Sequence, residues 1–227
     1  MQIGPYCFTR SKLLVSDFDG TITDEDFYQC VLDSLGDQAN LSYWDDYTEG
    51  RLTHFDALNE IFSQLKVGQD ELLKLADETG VDKHLAEDIT RLQDAGWDVV
   101  IVSAGSSWYI NYLLEQRGIE VAVVSNPGDI APEGCLRMSR DRESPFYSHD
   151  VGVDKPGVVR WALANFETVA FAGDGRPDEP AADLVLPELR FARGWLASHF
   201  QEQGTPFRRF NQWTQVAEAL TTKRKES

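Results

Sequence analysis

The sequence predicts an α/β protein with a mostly parallel sheet and an inserted helical cap. Short apolar runs of strand length alternate with helical segments, which indicates a parallel sheet with helices on both faces. Residues 24–92 interrupt this alternation with helical periodicity alone. The chain of 227 residues is long enough for one main domain that carries an inserted lobe.

The first predicted strand, Lys12–Val15, is an apolar run followed closely by an acidic residue, Asp17. In the helical stretch that follows, Phe27, Val31 and Leu35 are spaced for one helix face. We therefore predict that the chain leaves the core after the first strand and returns to it later. The predicted core domain is 1–23 with 93–227, and the predicted cap domain is 24–92.

Strands and helices alternate again after the insertion. The predicted strands are Asp98–Ser103, Glu120–Val124, Thr168–Phe171 and Ala182–Leu186. The predicted helices are Ser107–Arg117, Gly157–Asn165 and Arg193–Gln203. Residues 127–152 form a long connection with a candidate hairpin around Cys135–Ser139. The last five residues are predicted to be a disordered charged tail.

Composition limits the partners and the compartment. The formal net charge of −17 repels nucleic acid and anionic lipid, so we expect neither nucleic acid nor a membrane as partner. Without an apolar run near ~20 residues or a signal-peptide pattern in Met1–Arg10, we expect a cytoplasmic protein. The three cysteines form no CxxC pair, which argues against a disulfide framework and structural zinc.

The segment from Asp17 to Thr23, Asp-Phe-Asp-Gly-Thr-Ile-Thr, carries the strongest signal. Its two carboxylates, Asp17 and Asp19, are two residues apart and come directly after a buried strand. Placing two negative charges so close together near a buried strand costs free energy unless a cation holds them together. An isolated Asp-Gly pair would indicate only a turn. The whole string resembles the nucleophile motif of haloacid dehalogenase (HAD) superfamily phosphatases.

This resemblance implies a Rossmann-like HAD core with a helical cap over the active site. It implies that Asp17 attacks phosphorus and forms an aspartyl-phosphate. Asp19 then protonates the leaving alcohol and later deprotonates the hydrolytic water. Thr21 of the same motif is expected to bind substrate.

Two further segments match the family in order. Ser103-Ala104-Gly105 lies at a strand end before a helix, where it could hold a phosphoryl oxygen or simply cap the helix. The resemblance favours substrate binding by Ser103, Ala104 and Gly105. Lys155 precedes a helix whose first turn contains Pro156, and it matches the lysine that neutralises the nucleophile and the phosphoryl oxygens.

The segment from Gly173 to Asp178, Gly-Asp-Gly-Arg-Pro-Asp, resembles the family's magnesium motif. The resemblance implies Mg²⁺ as cofactor, held in an oxygen cage. The expected ligands are Asp17, Asp19 through its backbone carbonyl, Asp174 and Asp178, the last as a ligand or as a partner of one. The motif departs from several relatives, which have Asn where this chain has Pro177. Arg176 could attract an anionic substrate or pair with Asp183 or Glu179.

Within the superfamily the chain looks most like the phosphoserine-phosphatase-like branch, and within that branch like the methionine-salvage phosphatases that act on 2-hydroxy-3-keto-5-methylthiopentenyl-1-phosphate. The run Phe191–Leu196 carries the second resemblance. We expect a small phosphorylated metabolite as substrate, either this enol-phosphate or a phosphoserine-like ester, and a monomer or homodimer. The candidate specificity residues in the cap are Glu25, Asp26, Tyr28, Trp44, Tyr47 and His54.

Each candidate has an alternative. Trp44 and Tyr47 are at a spacing that also suits a helix core, and Glu25 and Asp26 also favour a helix N-terminus. The function has alternatives too: a phosphomutase or phosphotransferase would use the same residues, and a receiver-like module also carries a phosphorylated aspartate. Dehalogenase relatives lack an acid at the position of Asp19, so its presence favours phosphate chemistry.

Overall fold

The computed structural model describes residues 2–4 and 6–222, so the predicted disordered tail lies outside the described residues. The strands are β1 Gln2–Ile3, β2 Tyr6–Cys7, β3 Lys12–Ser16, β4 Trp97–Ser106, β5 Ala122–Asn126, β6 Gly128–Ile130, β7 Leu136–Met138, β8 Tyr147–Ser148, β9 Gly152–Val153, β10 Thr168–Gly173, β11 Arg190–Ala192 and β12 Arg208–Arg209. The helices are α1 Phe27–Leu35, α2 Ser42–Thr48, α3 His54–Gln64, α4 Gln69–Glu78, α5 Leu85–Asp94, α6 Ser107–Glu115, α7 Lys155–Asn165, α8 Glu179–Ala182, α9 Gly194–Gln203 and α10 Thr214–Thr221. Across this described part of the chain, helices fall short of the length and apolar content that a membrane crossing requires.

Six strands form one parallel sheet in the order β12-β11-β10-β3-β4-β5, which confirms the predicted α/β core. Helices α5, α6 and α10 pack on one face, and α7, α8 and α9 pack on the other. Leu13, Leu14 and Val15 of β3 are therefore fully buried, as expected for a parallel strand with both faces covered.

The strand predicted at Ala182–Leu186 is wrong. Ala182 ends helix α8, and the strand that pairs with β10 is β11, Arg190–Ala192. Leu184 and Leu186 are 38% and 61% exposed, so this apolar run does not enter the sheet. Pro187 follows directly and has no amide hydrogen for a strand ladder.

The insertion between β3 and β4 is helical, as predicted, and helices α1 to α4 pack on one another. Thr23 and Val81 form an antiparallel bridge that brings the two ends of the insertion together. Helix α5 lies beyond this bridge and packs against β4 and α10 of the core. We therefore propose that the cap ends near Val81 rather than at residue 92.

The 127–152 connection ties the cap to the core. It contains the predicted hairpin, in which β6 pairs with β7, and a second hairpin of β8 and β9. The amide of Met138 donates to Asn59 Oδ1 at 2.7 Å, and the amide of Phe55 donates to the Asp150 carbonyl at 2.8 Å. Because Asn59 and Phe55 belong to α3, these bonds hold the cap over the carboxyl ends of the strands.

Candidate active site

The chemical motifs meet at one edge of the sheet. Asp17 follows β3, Ser103 lies near the end of β4, Asp174 follows β10, and Lys155 begins α7. Strands β4, β3 and β10 are parallel neighbours, so their carboxyl ends open into the same crevice. A cavity of about 320 Å³ lies between this edge and the cap, and all four residues line it.

Lys155 is buried between two carboxylates. Its Nζ donates to Asp17 Oδ1 at 2.8 Å and to Asp178 Oδ1 at 2.6 Å, and its side chain is 2% exposed. Burial alone would lower the pKa of Lys155, but the charges of Asp17 and Asp178 raise it above its ordinary value. Burial and the Asp178 charge also raise the pKa of Asp17, whereas Lys155 lowers it. The lysine therefore stays charged and offsets part of the negative charge around it.

Hydrogen bonds fix two acids in the loop that follows β10, Asp174 and Asp178. Asp178 Oδ2 accepts the amides of Asp174 and Gly175, each at 3.0 Å. Thr21 Oγ1 is buried and donates to Asp174 Oδ1 at 2.9 Å. Thr21, expected to bind substrate, thus donates its hydroxyl to a predicted metal ligand. Gly20 leaves room for this ligand, because it has a φ of 66° and a Cβ there would lie 2.5 Å from Asp174 Oδ2.

Asp17, Asp174 and Asp178 form a candidate metal centre, since each offers a carboxylate oxygen within 4.8 Å of the others. Burial, followed by the charge of Asp178, raises the pKa of Asp174 to about 7. One lysine cannot neutralise three carboxylates, and a divalent cation would remove the remaining repulsion. An all-oxygen donor set is the one that Mg²⁺ prefers. These residues therefore fit magnesium.

The Asp19 carboxylate accepts three hydrogen bonds. Oδ2 accepts from the Tyr109 hydroxyl at 2.6 Å and the Ser103 hydroxyl at 3.2 Å, and Oδ1 accepts from the Phe27 amide at 3.3 Å. Burial raises the pKa of Asp19, and these bonds oppose the rise. Burial and the Asp19 charge raise the pKa of Tyr109 well above its ordinary value, so its hydroxyl remains a donor. Sequence reasoning missed Tyr109, because its helical spacing after Ser103 indicates only a core position.

The Ser103–Gly105 segment lies where β4 pairs irregularly with β5, and all three of its residues line the cavity. Ser103 Oγ accepts the Gly105 amide at 2.9 Å. Helix α6 is capped instead by Ser106, whose Oγ accepts the Trp108 amide at 3.2 Å. The helix-cap interpretation of this turn therefore applies to Ser106, whereas the Ser103 hydroxyl faces Asp19.

On the cap side, the cavity is lined by four aromatic side chains: Tyr28, Trp44, Tyr47 and His54. The Trp44 ring is stacked on Tyr28 with centroids 5.1 Å apart and lies 5.2 Å from the Tyr47 ring. His54 is 7% exposed, and its Nδ1 has no hydrogen-bond partner within the described chain. Burial lowers the pKa of His54 to about 4, so its ring is neutral near pH 7. Trp44 and Tyr47 thus line the cavity, although a purely core position was also open to them.

The two acids at the start of the cap differ in position. Asp26 lines the cavity, whereas Glu25 is exposed and is not among the residues that line it. Burial, followed by the charge of Asp19, raises the pKa of Asp26 to about 8. Asp26 is also the N-cap residue of α1, but its side chain makes no capping hydrogen bond.

Arg176 also faces the cavity, with its guanidinium carbon 5.1 Å from the centre of the Trp195 ring. The acids considered as its partners contact other residues. Asp183 pairs with Arg190 at 3.5 Å, and Glu179 lies 2.8 Å from His199. Within the described residues, Arg176 therefore pairs with neither of these acids.

Comparisons with known proteins show the family of this chain and several similar proteins, among them two phosphatases. The sequence model of the family described as Putative Phosphatase matches residues 12–151, more than half of the chain. The chain is 24% identical over 206 residues to a 2-hydroxy-3-keto-5-methylthiopentenyl-1-phosphate phosphatase from an Exiguobacterium species, covering 88% of this chain and 94% of that protein. It is also 24% identical over 226 residues to the polyol phosphate phosphatase PYP1 from Saccharomyces cerevisiae, covering 92% of both.

A solved structure shares the fold. It is a phosphoserine phosphatase determined as a phospho-aspartyl intermediate analogue. The two chains superpose with a TM-score of 0.64 at 16% identity, covering 92% of this chain and 99% of that chain. At this identity the likeness shows a common fold.

Proposed function

Because this chain belongs to the Putative Phosphatase family, we propose that it hydrolyses small phosphate monoesters through an aspartyl-phosphate on Asp17, with Mg²⁺ as cofactor. It is a phosphoric monoester hydrolase of the HAD superfamily, in the phosphoserine-phosphatase-like branch. One observation carries the mechanistic part of the proposal. The Lys155 ammonium lies 2.8 Å from Asp17 on the cavity wall that also holds Asp19 and the acidic cluster.

Two chemical steps follow from these positions. First, an Asp17 oxygen bonds to phosphorus, the bond from phosphorus to the leaving oxygen breaks, and Asp19 gives its proton to that oxygen. Second, Asp19 takes a proton from water, and the water oxygen bonds to phosphorus. The bond between Asp17 and phosphorus then breaks and releases inorganic phosphate. Lys155 stabilises the negative phosphoryl oxygens in both steps.

The proposed magnesium ligands are Asp17, Asp174, Asp178 and the backbone carbonyl of Asp19. Mg²⁺ bound there would offset the negative charge of the phosphoryl oxygens. Asp178 already shares its oxygens with Lys155 and with two backbone amides. We therefore assign Asp178 chiefly to holding Lys155 and Asp174 in position, and Thr21 to orienting Asp174.

The shape and charge of the cavity favour a small, uncharged leaving group. Its volume of about 320 Å³ suits a metabolite, and the hydrogen bonds between cap and core keep it covered. The cap contributes aromatic rings, Asp26 and a neutral His54 to the lining, while the lining cations, Lys155 and Arg176, come from the core. A phosphoserine-like substrate would need a cation for its carboxylate on the cap side of the cavity, and the described cap residues that line the cavity include no lysine or arginine. We therefore favour a keto-enol or polyol phosphate, as the names of the two similar enzymes suggest.

A panel of small phosphate esters tests this proposal. Wild-type protein should hydrolyse at least one uncharged metabolite ester with Mg²⁺, and activity should be lost with a chelator and return when Mg²⁺ is added. Asp17→Asn should retain the fold but less than about a hundredth of the activity, because the nucleophile is removed. Asp33→Asn, an exposed change on α1, is the matched control. Full activity of metal-free protein or of Asp17→Asn would refute the proposal.

A further inference from the structure

The geometry points to Tyr109 as the positioning residue for Asp19: its hydroxyl fixes one oxygen of that carboxyl group and leaves the other to exchange the proton. This inference rests on the proposed function, because it concerns the proton transfers at Asp19. The Tyr109 hydroxyl donates to Asp19 Oδ2 at 2.6 Å, the shortest of the three hydrogen bonds that this carboxylate accepts.

The other two donors, the Ser103 hydroxyl and the Phe27 amide, form longer hydrogen bonds to Asp19. The Ser103 hydroxyl lies at 3.2 Å and is also proposed to hold a phosphoryl oxygen of the substrate. The Phe27 amide, in the first turn of α1, lies at 3.3 Å, the longest of the three donor distances. Tyr109 belongs to α6, which follows β4 directly and packs against β5 of the sheet. It is therefore the donor that can hold Asp19 throughout the reaction.

Tyr109 is rigid, and the chain leaves room for its hydrogen bond. The side chain is 1% exposed, and its ring centroid lies 4.3 Å from that of Phe27. A Cβ at Gly105 would lie 2.7 Å from Asp19 Oδ2 and still closer to the Tyr109 hydroxyl. Any larger residue at Gly105 would separate the two groups. A glycine at position 105 is therefore required for the pairing of Tyr109 with Asp19.

The pairing decides which Asp19 oxygen carries the proton. Oδ2 accepts two hydroxyl donors, Tyr109 and Ser103, which suits an unprotonated oxygen. Oδ1 accepts only the longer bond from the Phe27 amide, at 3.3 Å, so the geometry leaves Oδ1 as the oxygen that exchanges the proton. The proton passes to the leaving oxygen as the ester bond to phosphorus breaks, and a proton from water later replaces it. A carboxyl group free to rotate would spend less time aligned for either transfer.

The test is the dependence of Tyr109→Phe on the leaving group. A nitrophenolate leaves without a proton, whereas a simple alkoxide does not, and kcat/KM reports the steps up to its release. We expect kcat/KM for alkyl phosphates to fall about tenfold to a hundredfold, the effect of one hydrogen bond to a charged group. For nitrophenyl phosphate we expect a fall of less than about threefold. Plotted against leaving-group pKa, log kcat/KM should therefore decline more steeply than in wild type.

Tyr112→Phe is the matched control, because Tyr112 lies on the same helix and its hydroxyl donates to Asp77 at the surface, at 3.0 Å. It should leave both ester classes unchanged. Gly105→Ala forces the Tyr109 hydroxyl away from Asp19. Its kcat/KM should therefore fall more for alkyl esters than for nitrophenyl esters. Equal losses on both classes in the two variants, or no loss in Tyr109→Phe with its thermal midpoint retained, would overturn the inference. Wild-type protein inactive on every ester would refute the proposed function instead.

Discussion

Replacing Lys155 with methionine tests how the buried charges are balanced. Methionine keeps most of the length and volume of the side chain but removes the ammonium group. The hydrogen bonds lost, to Asp17 at 2.8 Å and to Asp178 at 2.6 Å, are both charge-assisted. At ~1.5–3 kcal/mol each, they sum to about 3–6 kcal/mol, similar to the ~3–5 kcal/mol typical of breaking a buried ion pair. Protonation of Asp17 relieves part of the cost, so we expect a loss of about 3 kcal/mol in metal-free protein near pH 7.

Urea denaturation of wild type and Lys155→Met, with a chelator and with Mg²⁺, measures this difference in the free energy of unfolding. Mg²⁺ should reduce this difference between the two proteins, because in Lys155→Met the bound cation offsets the negative charge that the lysine no longer offsets. Activity should fall about a hundredfold to a thousandfold even with Mg²⁺, since a donor to the phosphoryl group is gone. Lys74→Met is the control: Lys74 is 67% exposed and pairs with Glu71 at the surface, so its loss should leave the urea midpoint nearly unchanged. Equal stability and activity of Lys155→Met and wild type would refute the reasoning.

In a chelator, wild-type stability should fall as pH rises from the ordinary carboxyl pKa of 3.8 toward about 7, because the raised pKa of Asp174 makes the folded state bind the extra proton. Urea midpoints measured across this pH window should decrease as pH rises, and they should decrease less steeply in Asp174→Asn. An increase of the wild-type midpoint with pH would contradict the prediction. Thr21→Val should weaken Mg²⁺ about tenfold with little change in kcat at saturating metal, measured by titrating activity with Mg²⁺. Thr90→Val, an exposed change on α5, should leave that titration unchanged. Trp44→Ala should raise KM for the best metabolite about tenfold, while the inhibition constant for inorganic phosphate stays the same. If the affinities for metabolite and phosphate fell equally, the substitution would act through folding and not through contact with the leaving group.

The sequence predicted that Asp17, Ser103 and Asp174 lie together, because strand ends of a parallel sheet converge whatever the details of packing. Lys155 begins α7, and its place beside Asp17 was expected only from the family resemblance. The sequence could not predict the pairing of Tyr109 with Asp19. That pairing depends on how α6 is rotated and on the space at Gly105, and a helical pattern encodes neither.

Three other features could not be derived from the sequence, for the same kind of reason. An amphipathic helix such as α5 has one periodicity whether it covers a cap or a sheet, so the spacing of Leu85, Ile89 and Leu92 could not fix the domain boundary. The apolar run at 182–186 was mistaken for a strand, because a run does not reveal that Leu184 and Leu186 face solvent. The bond from Thr21 to Asp174 joins residues distant in sequence, and only the fold brings them together.

The central claim, that Asp17 carries the phosphoryl group, is tested most directly by trapping it. Wild type and Asp19→Asn are mixed with a good substrate and Mg²⁺, quenched in acid, digested and mapped by mass spectrometry. We predict one phosphoryl group on the peptide that contains Asp17, released by hydroxylamine and absent from Asp17→Asn. It should accumulate further in Asp19→Asn with nitrophenyl phosphate, because Asp19 activates the hydrolytic water. A phosphoryl group on another residue, or turnover with no covalent adduct in either protein, would contradict the account.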